Sequence, residues 1–407
     1  MKTRRRRRRR ASAPAARPAG AADAGEAALQ SDIEPAPGAP APVSPKAHAL
    51  GARLGGRRFD RQADPQEKFA ALDLGTNNCR LLIASPRGRG FRIFDAFSRI
   101  VRLGEGVAAT GALSDDAMAR TLDALRVCAE KIARRGVVRT RCIATQACRA
   151  ASNGPEFLDR VAAETGLRFE IISPAEEARL AVTGCGELLD HEAPAGLIFD
   201  IGGGSTEVSW VRPRIKEGRP RTPEILAWTS MPLGVVNLSE HHGGREMSSS
   251  AYGALVAVIR EQIAAFGDPA GLRAVFAEGR GHFLGTSGTV TSIAGVHLGL
   301  PRYRRDRVDG VWLSAQEVRG VSGRLRAMSY DERANEPCIG TERADLVVCG
   351  CAILEALLLE WPVTRIRVAD RGLREGILLG LAQERNRERS RRRRRRPRHG
   401  AAAGQSV

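Results

Sequence analysis

The chain has 407 residues, 43% hydrophobic and 27% charged, with a formal charge of +18. This is enough for two domains with sizeable cores, and the composition is that of a globular protein. No apolar run approaches the ~20 residues of a membrane-spanning helix, and the longest, from Leu346 to Leu359, contains Glu355.

The positive charge lies at the ends. Residues 1–60 hold 13 Lys/Arg against 5 Asp/Glu, and residues 383–407 hold 10 Arg against 2 Glu, so each end carries +8 and the remainder +2. Arg4–Arg10 and Arg391–Arg396 are like-charge blocks, and the stretch from Ala11 to Pro45 is rich in Ala, Pro and Gly. Such segments cannot bury a core, so residues 1–65 and 383–407 are expected to be disordered basic tails. Tails of this kind bind polyanions, polyphosphate or nucleic acid, with strong salt dependence. The arginine tract lacks the apolar stretch of a signal peptide. Eight cysteines show no paired metal spacing, which predicts reduced, buried thiols and a cytoplasmic protein.

A first lobe is expected over 66–193. Strands at 69–74 and 80–84 flank a turn, with Asp73 at the end of the first strand and Gly75, Thr76 and Asn77 in the turn. A strand follows from Arg92 to Val101, with Phe91, Ile93 and Phe94 partly inward. Ser114 should cap a helix ending at Gly136. A strand over 138–144 leads to Arg149, a helix runs from Pro155 to Gly166, and a strand covers 169–172. Ser173-Pro174-Ala175-Glu176 reads as a capping box that opens the next helix, with Glu176 reaching back to the Ser173 N–H. Glu177 is rotated about 100° from it and is free to face a cleft.

The second lobe, 194–382, repeats the grammar. An apolar strand ends at Asp200, then come Gly202, Gly203, Gly204, Ser205 and Thr206, then Glu207 and another apolar run. Glycines let backbone N–H groups approach a phosphate, and the hydroxyls add donors. Carboxylates beside such a cradle repel the anion unless a hard cation such as Mg²⁺ lies between. Arg212 to Thr222 is expected to be a polar turn before a strand over 225–232. Helices are expected at 248–266, 289–298, 314–328, 341–359 and 371–381, and strands at 273–276 and 365–368. His241 and His242 are expected in an exposed loop. A third Gly/hydroxyl turn spans Gly285 to Thr289.

The two Asp-x-Gly loops resemble the phosphate loops of the exopolyphosphatase/guanosine pentaphosphate phosphatase (Ppx/GppA) family. The resemblance continues through 144–153, the Glu176-Glu177-Ala178-Arg179 segment, 231–236, the Gly285 turn and 368–376, and covers Glu67 to Leu381. It implies an α/β fold of two ribonuclease-H-like lobes of the actin/sugar-kinase/Hsp70 superfamily around a central cleft, in the short two-domain form. It also implies that Glu177 is the catalytic base, that Asp73, Asp200 and Glu207 hold Mg²⁺, and that Arg149 joins the loops in binding phosphate. The implied reaction is release of orthophosphate from polyphosphate or guanosine pentaphosphate, and members are often homodimers. A superfamily kinase and a non-enzymatic sensor of polyphosphate or a guanosine polyphosphate are the rival readings.

Overall fold

The computed structural model describes residues 67–395 except 88–89, 217–218 and 269–270. The expected tail at 1–65 and the end of the chain from 396 lie outside the described residues. Two sheets organise the rest. The first contains β1 (Phe69–Leu74), β2 (Asn78–Arg87), β3 (Gly90–Ile100), β4 (Arg139–Ala144) and β5 (Phe169–Ile171) in the order β3-β2-β1-β4-β5. β1 pairs antiparallel with β2 and parallel with β4. The second contains β6 (Gly196–Ile201), β7 (Thr206–Lys216), β8 (Arg219–Met231), β9 (His282–Thr286), β10 (Trp312–Ser314) and β11 (Arg365–Ala369). Its order is β10-β11-β9-β6-β7-β8. β6 again pairs antiparallel with the following strand and parallel with β9. Apart from β10, which is added at one edge, the two sheets share one topology, the two-lobed ribonuclease-H-like fold expected from the motifs.

The central strands β1 and β6 are buried along nearly their whole length, as strands covered on both faces must be. The larger core lies in the second lobe, where the Trp210 ring stands edge-on to Phe276 at 5.1 Å and Trp361 at 5.3 Å. All eight cysteines are buried thiols, and burial pushes Cys148 up to about 12, which suits an inert thiol.

Several expectations need correction. Residues 212–216 and 219–222 are strand rather than turn, because β7 runs to Lys216 and β8 begins at Arg219. Residues 273–276 form a helix, Arg273–Ala277, rather than a strand. The buried helix expected from 341 starts at Val347. Ile93 is 51% exposed rather than inward. His241 and His242 end a helix, Val235–His242, rather than lying in a loop, though both are exposed. The closing helix runs Leu373–Arg395, so 383–395 is helix and not tail. That helix also moves a boundary: Ile377, Leu378 and Leu381 pack with Phe69, Ala71 and Leu82 of the first sheet. The segment 194–382 therefore gives its last helix back to the first lobe. Among the described residues, no helix is long and apolar enough to cross a membrane.

Candidate active site

The shared topology places Asp73 and Asp200 at equivalent positions, each one residue before the end of its central strand. Each following turn closes with the same bond: the Gly75 N–H donates to the Asn78 carbonyl and the Gly202 N–H to the Ser205 carbonyl, both at 2.9 Å. Those two N–H groups are thus used within the turns. The N–H groups of Thr76, Asn77, Gly203 and Gly204 find no protein acceptor among the described residues, and these are the donors left for a phosphate.

Both loops line one cavity of about 380 Å³, together with Asp73, Asp200, Glu177, Glu207, Ser287 and several arginines. None of the three glycines 202–204 has a positive φ; close approach explains them better. A Cβ on Gly203 would lie 3.1 Å from the Asn77 N and from the Thr76 Cβ, and one on Gly204 would lie 2.6 Å from the Thr76 Oγ1. The loops of the two lobes face each other with no room for a side chain between them.

The carboxylates are in unlike settings. Glu207 is 4% exposed and its Oε1 accepts 2.7 Å bonds from the Ser205 and Ser230 hydroxyls. Glu177 opens the Pro174–Cys185 helix, one position past the residue whose N–H donates to the Ser173 hydroxyl. Its Oε2 accepts from Arg149 Nη1 and Nη2, both at 3.3 Å. Burial, then the charge of Glu207, pushes Glu177 well above the usual carboxylate range. Asp73 and Asp200 are each pushed up to about 6, mainly by burial, and neither has an ion-pair partner among the described residues.

Three expectations about side chains change. Glu176 does not complete a capping box; its carboxylate instead accepts from Arg179 at 2.7 Å and Arg141 at 3.1 Å. Arg149 does not line the cavity. Its guanidinium donates to the Ile172 carbonyl and to Gln146 Oε1, both at 2.7 Å, so it braces Glu177 rather than facing phosphate. Thr206 is fully buried and its hydroxyl donates to the Leu233 carbonyl at 2.5 Å, away from the cavity.

Cationic residues were missed from the sequence. Arg80, Arg305, Arg343, Arg371 and Arg374 line the cavity. Arg80 and Arg374 have no ion-pair partner among the described residues, and burial lowers the pKa of Arg374. A buried cation without a partner favours an anionic ligand. A signal for Arg80 did exist: it pairs across strands with Asp73 as Glu207 does with Asp200, seven residues on in both hairpins. Ser287, at φ 81°, holds left-handed backbone that a non-glycine residue rarely adopts, a strain that concentrates at functional sites. It is near enough to Asp200 to lower that acid's pKa and stands before the Gly288–His297 helix.

Among the described residues, no three His, Cys, Asp or Glu side chains form a metal-holding cluster, so Asp73, Asp200 and Glu207 do not make a ready three-acid cage. Asp73 and Asp200, neither of them in an ion pair among the described residues and near enough for the charge of Asp200 to raise the pKa of Asp73, do fit an ion that takes two carboxylates and completes its shell with water and substrate oxygens.

A two-lobed α/β protein with paired glycine loops, inward acids and unpaired arginines is a phosphate-handling protein. The Ppx/GppA phosphatase family model matches residues 82–385, and the chain belongs to that family. Exopolyphosphatase 2 of Mycobacterium tuberculosis is 32% identical over 336 residues, 77% of this chain and 98% of that protein. The crystal structure of the Aquifex aeolicus Ppx/GppA family member superposes with a TM-score of 0.63 at 26% identity, covering 79% of this chain and 99% of that one. An exopolyphosphatase from Cytophaga hutchinsonii shares the fold, with a TM-score of 0.68 at 24% identity over 78% of this chain and 98% of that one.

Proposed function

We propose that the chain hydrolyses the terminal phosphoanhydride of inorganic polyphosphate and releases orthophosphate. The observation that carries this reading is the convergence of Glu177, both glycine loops and the unpaired arginines on one cavity. The N–H groups of Thr76, Asn77, Gly203 and Gly204, with Arg80 and Arg374, hold the terminal phosphates. Glu177, a stronger base for being buried among acids and fixed by Arg149, takes a proton from the attacking water. The water oxygen bonds to the terminal phosphorus as the bridging P–O bond breaks, and the shortened chain leaves with that bridging oxygen. Mg²⁺ is the cation that Asp73 and Asp200 would hold, and it would neutralise charge on the transferred group.

Guanosine pentaphosphate presents the same terminal anhydride, so the same residues would cleave it. A cytoplasmic homodimer belongs to this reading, as does polyanion contact by the Arg391–Arg396 run. The measurement is orthophosphate release from polyphosphate and from guanosine pentaphosphate with Mg²⁺, with and without ATP. Release without ATP is expected. Binding without release would favour a sensor, and phosphate transfer that needs ATP would favour a kinase. Removing residues from 384 onward should raise KM for long polyphosphate at low salt and not at high salt; equal values for both proteins at low salt would remove the arginines from substrate capture.

A further inference from the structure

A second cavity, of about 600 Å³, adjoins the first. Arg305 and Arg371 line both, so the two cavities meet at these side chains. Each is held by acids. Arg371 donates to Asp309, with Nε 3.0 Å from Oδ2, and lies 3.8 Å from Glu187. Arg305 Nη2 donates at 2.6 Å to Glu375 Oε1 and at 2.6 Å to the Asp370 carbonyl. Beyond the arginines its lining includes the acids Glu187, Asp306, Asp309 and Glu375 and the apolar Leu82, Ile93 and Leu379.

We infer that this second cavity is an exit for orthophosphate, gated by Arg305 and Arg371. The inference rests on the polyphosphate reading. When the terminal phosphate is cut from a long chain, the shortened chain still fills the front of the cleft. Product can then leave only if the chain dissociates or a second opening exists. The junction is built from the side chains that would pass a phosphate: an arginine that releases a carboxylate can take a phosphate in its place with the same fork geometry. The acidic walls beyond offer no binding site. A released anion is not retained there, and a long polyanion is repelled from entering backwards. Asp309 and Glu375 compete with product for the arginines and so hasten its departure.

The test separates formation of orthophosphate, by rapid quench, from its appearance in solution, by a fast phosphate-binding reporter. Long polyphosphate is compared with tripolyphosphate, whose pyrophosphate remnant is small enough to vacate the front. Asp309→Asn removes the charge that competes for Arg371 and keeps the side-chain oxygen that accepts from the Asp370 N–H. Ile93→Trp, at an exposed strand position, narrows the second cavity without touching an ion pair. Both variants should form orthophosphate at the normal rate in the first turnover. Both should release it about 3–10-fold more slowly from long chains, the scale of one altered charged contact, with little change on tripolyphosphate. Asp309→Asn should also tighten product inhibition by orthophosphate. Normal release from long chains in both variants, with formation intact, would overturn the exit and leave the substrate reading standing. No orthophosphate formed from polyphosphate by the unaltered protein would overturn the substrate reading and the exit with it. Equal slowing on both substrates would also overturn the exit, since a general structural defect has no reason to sense chain length.

Discussion

Glu176 and Glu177 are neighbours with opposite surroundings. Glu176 is tied to two arginines at the surface, and Glu177 is buried against Glu207, Asp200 and Asp73. Glu177→Gln should keep substrate binding and lose roughly 10²–10⁴-fold in kcat, the scale of a general base. Glu176→Gln should leave kcat alone and cost at most about 1 kcal/mol, since its ion pairs are partly exposed. Steady-state kinetics of the two variants decide the assignment; a dead Glu176 variant with an active Glu177 variant would reverse it. His282 allows a separate test on stability. It is fully buried, its Nε2 accepts from the Asp190 N–H at 3.3 Å, and its pKa is pushed down to about 4, first by burial and then by Arg365. A depressed histidine favours the fold only while neutral. Its contribution is complete above pH ~6.5 and is lost as pH falls toward 4, about 3 kcal/mol in all. Asp73 and Asp200, raised to about 6, run the other way and weaken the fold as pH rises from 4 to 6. The contrast must therefore be taken against His282→Asn, whose unfolding free energy should fall less than that of the unaltered protein between pH 7 and 4.5. Equal falls in the two proteins would show that His282 does not titrate in that window.

At the scale of elements, the strand–turn–strand hairpins were readable because each combines an apolar run, an acid and a glycine turn within fifteen residues. What the glycines do was not readable, because it depends on two loops more than a hundred residues apart meeting face to face. Gly203→Ala should force them apart, since its Cβ would meet the Asn77 N and the Thr76 Cβ at 3.1 Å. The expected result is at least a tenfold loss of activity, with a melting temperature within a few degrees of normal, because the strain falls between lobes rather than in a core. Full activity in that variant would show that the loops part easily. The hairpin over 206–231 was misread for a different reason. Pro213 and Pro223 signal turns, but both fall where the register between Arg212 and Arg214 shifts, and β8 is an edge strand. Proline is tolerated at bulges and edges, a context that local sequence does not carry. The Arg273–Ala277 segment is too short for periodicity to separate helix from strand. Arg374 was missed because only the return of the last helix to the first lobe brings it beside Asp73.

For the whole molecule, the relation between the lobes rests partly on Arg102. Its guanidinium spans the cleft to Asp345 of the second lobe, with bonds of 2.9 and 3.0 Å, and reaches the Glu342 carbonyl at 3.3 Å. Its backbone, at a φ of 48° that side chains other than glycine rarely adopt, donates to the Asn77 carbonyl at 3.1 Å. One residue thus supports the first phosphate loop and ties it to the opposite lobe, which gives the strain a function. A half-buried bidentate pair of this kind contributes about 1.5–3 kcal/mol. Asp345→Asn should therefore shift the balance toward an open form by roughly 10–100-fold, and apparent affinity falls in proportion to the closed fraction that remains. The expected outcome is a raised KM with a smaller change in kcat, and a larger radius of gyration by solution scattering. Arg102→Ala should do the same, and the double variant should be little worse than either single one, because the two side chains act as one contact. Additive losses in KM would mean that they act independently. An unchanged KM and radius in all three would mean that closure is set elsewhere, by the packing of the glycine loops alone.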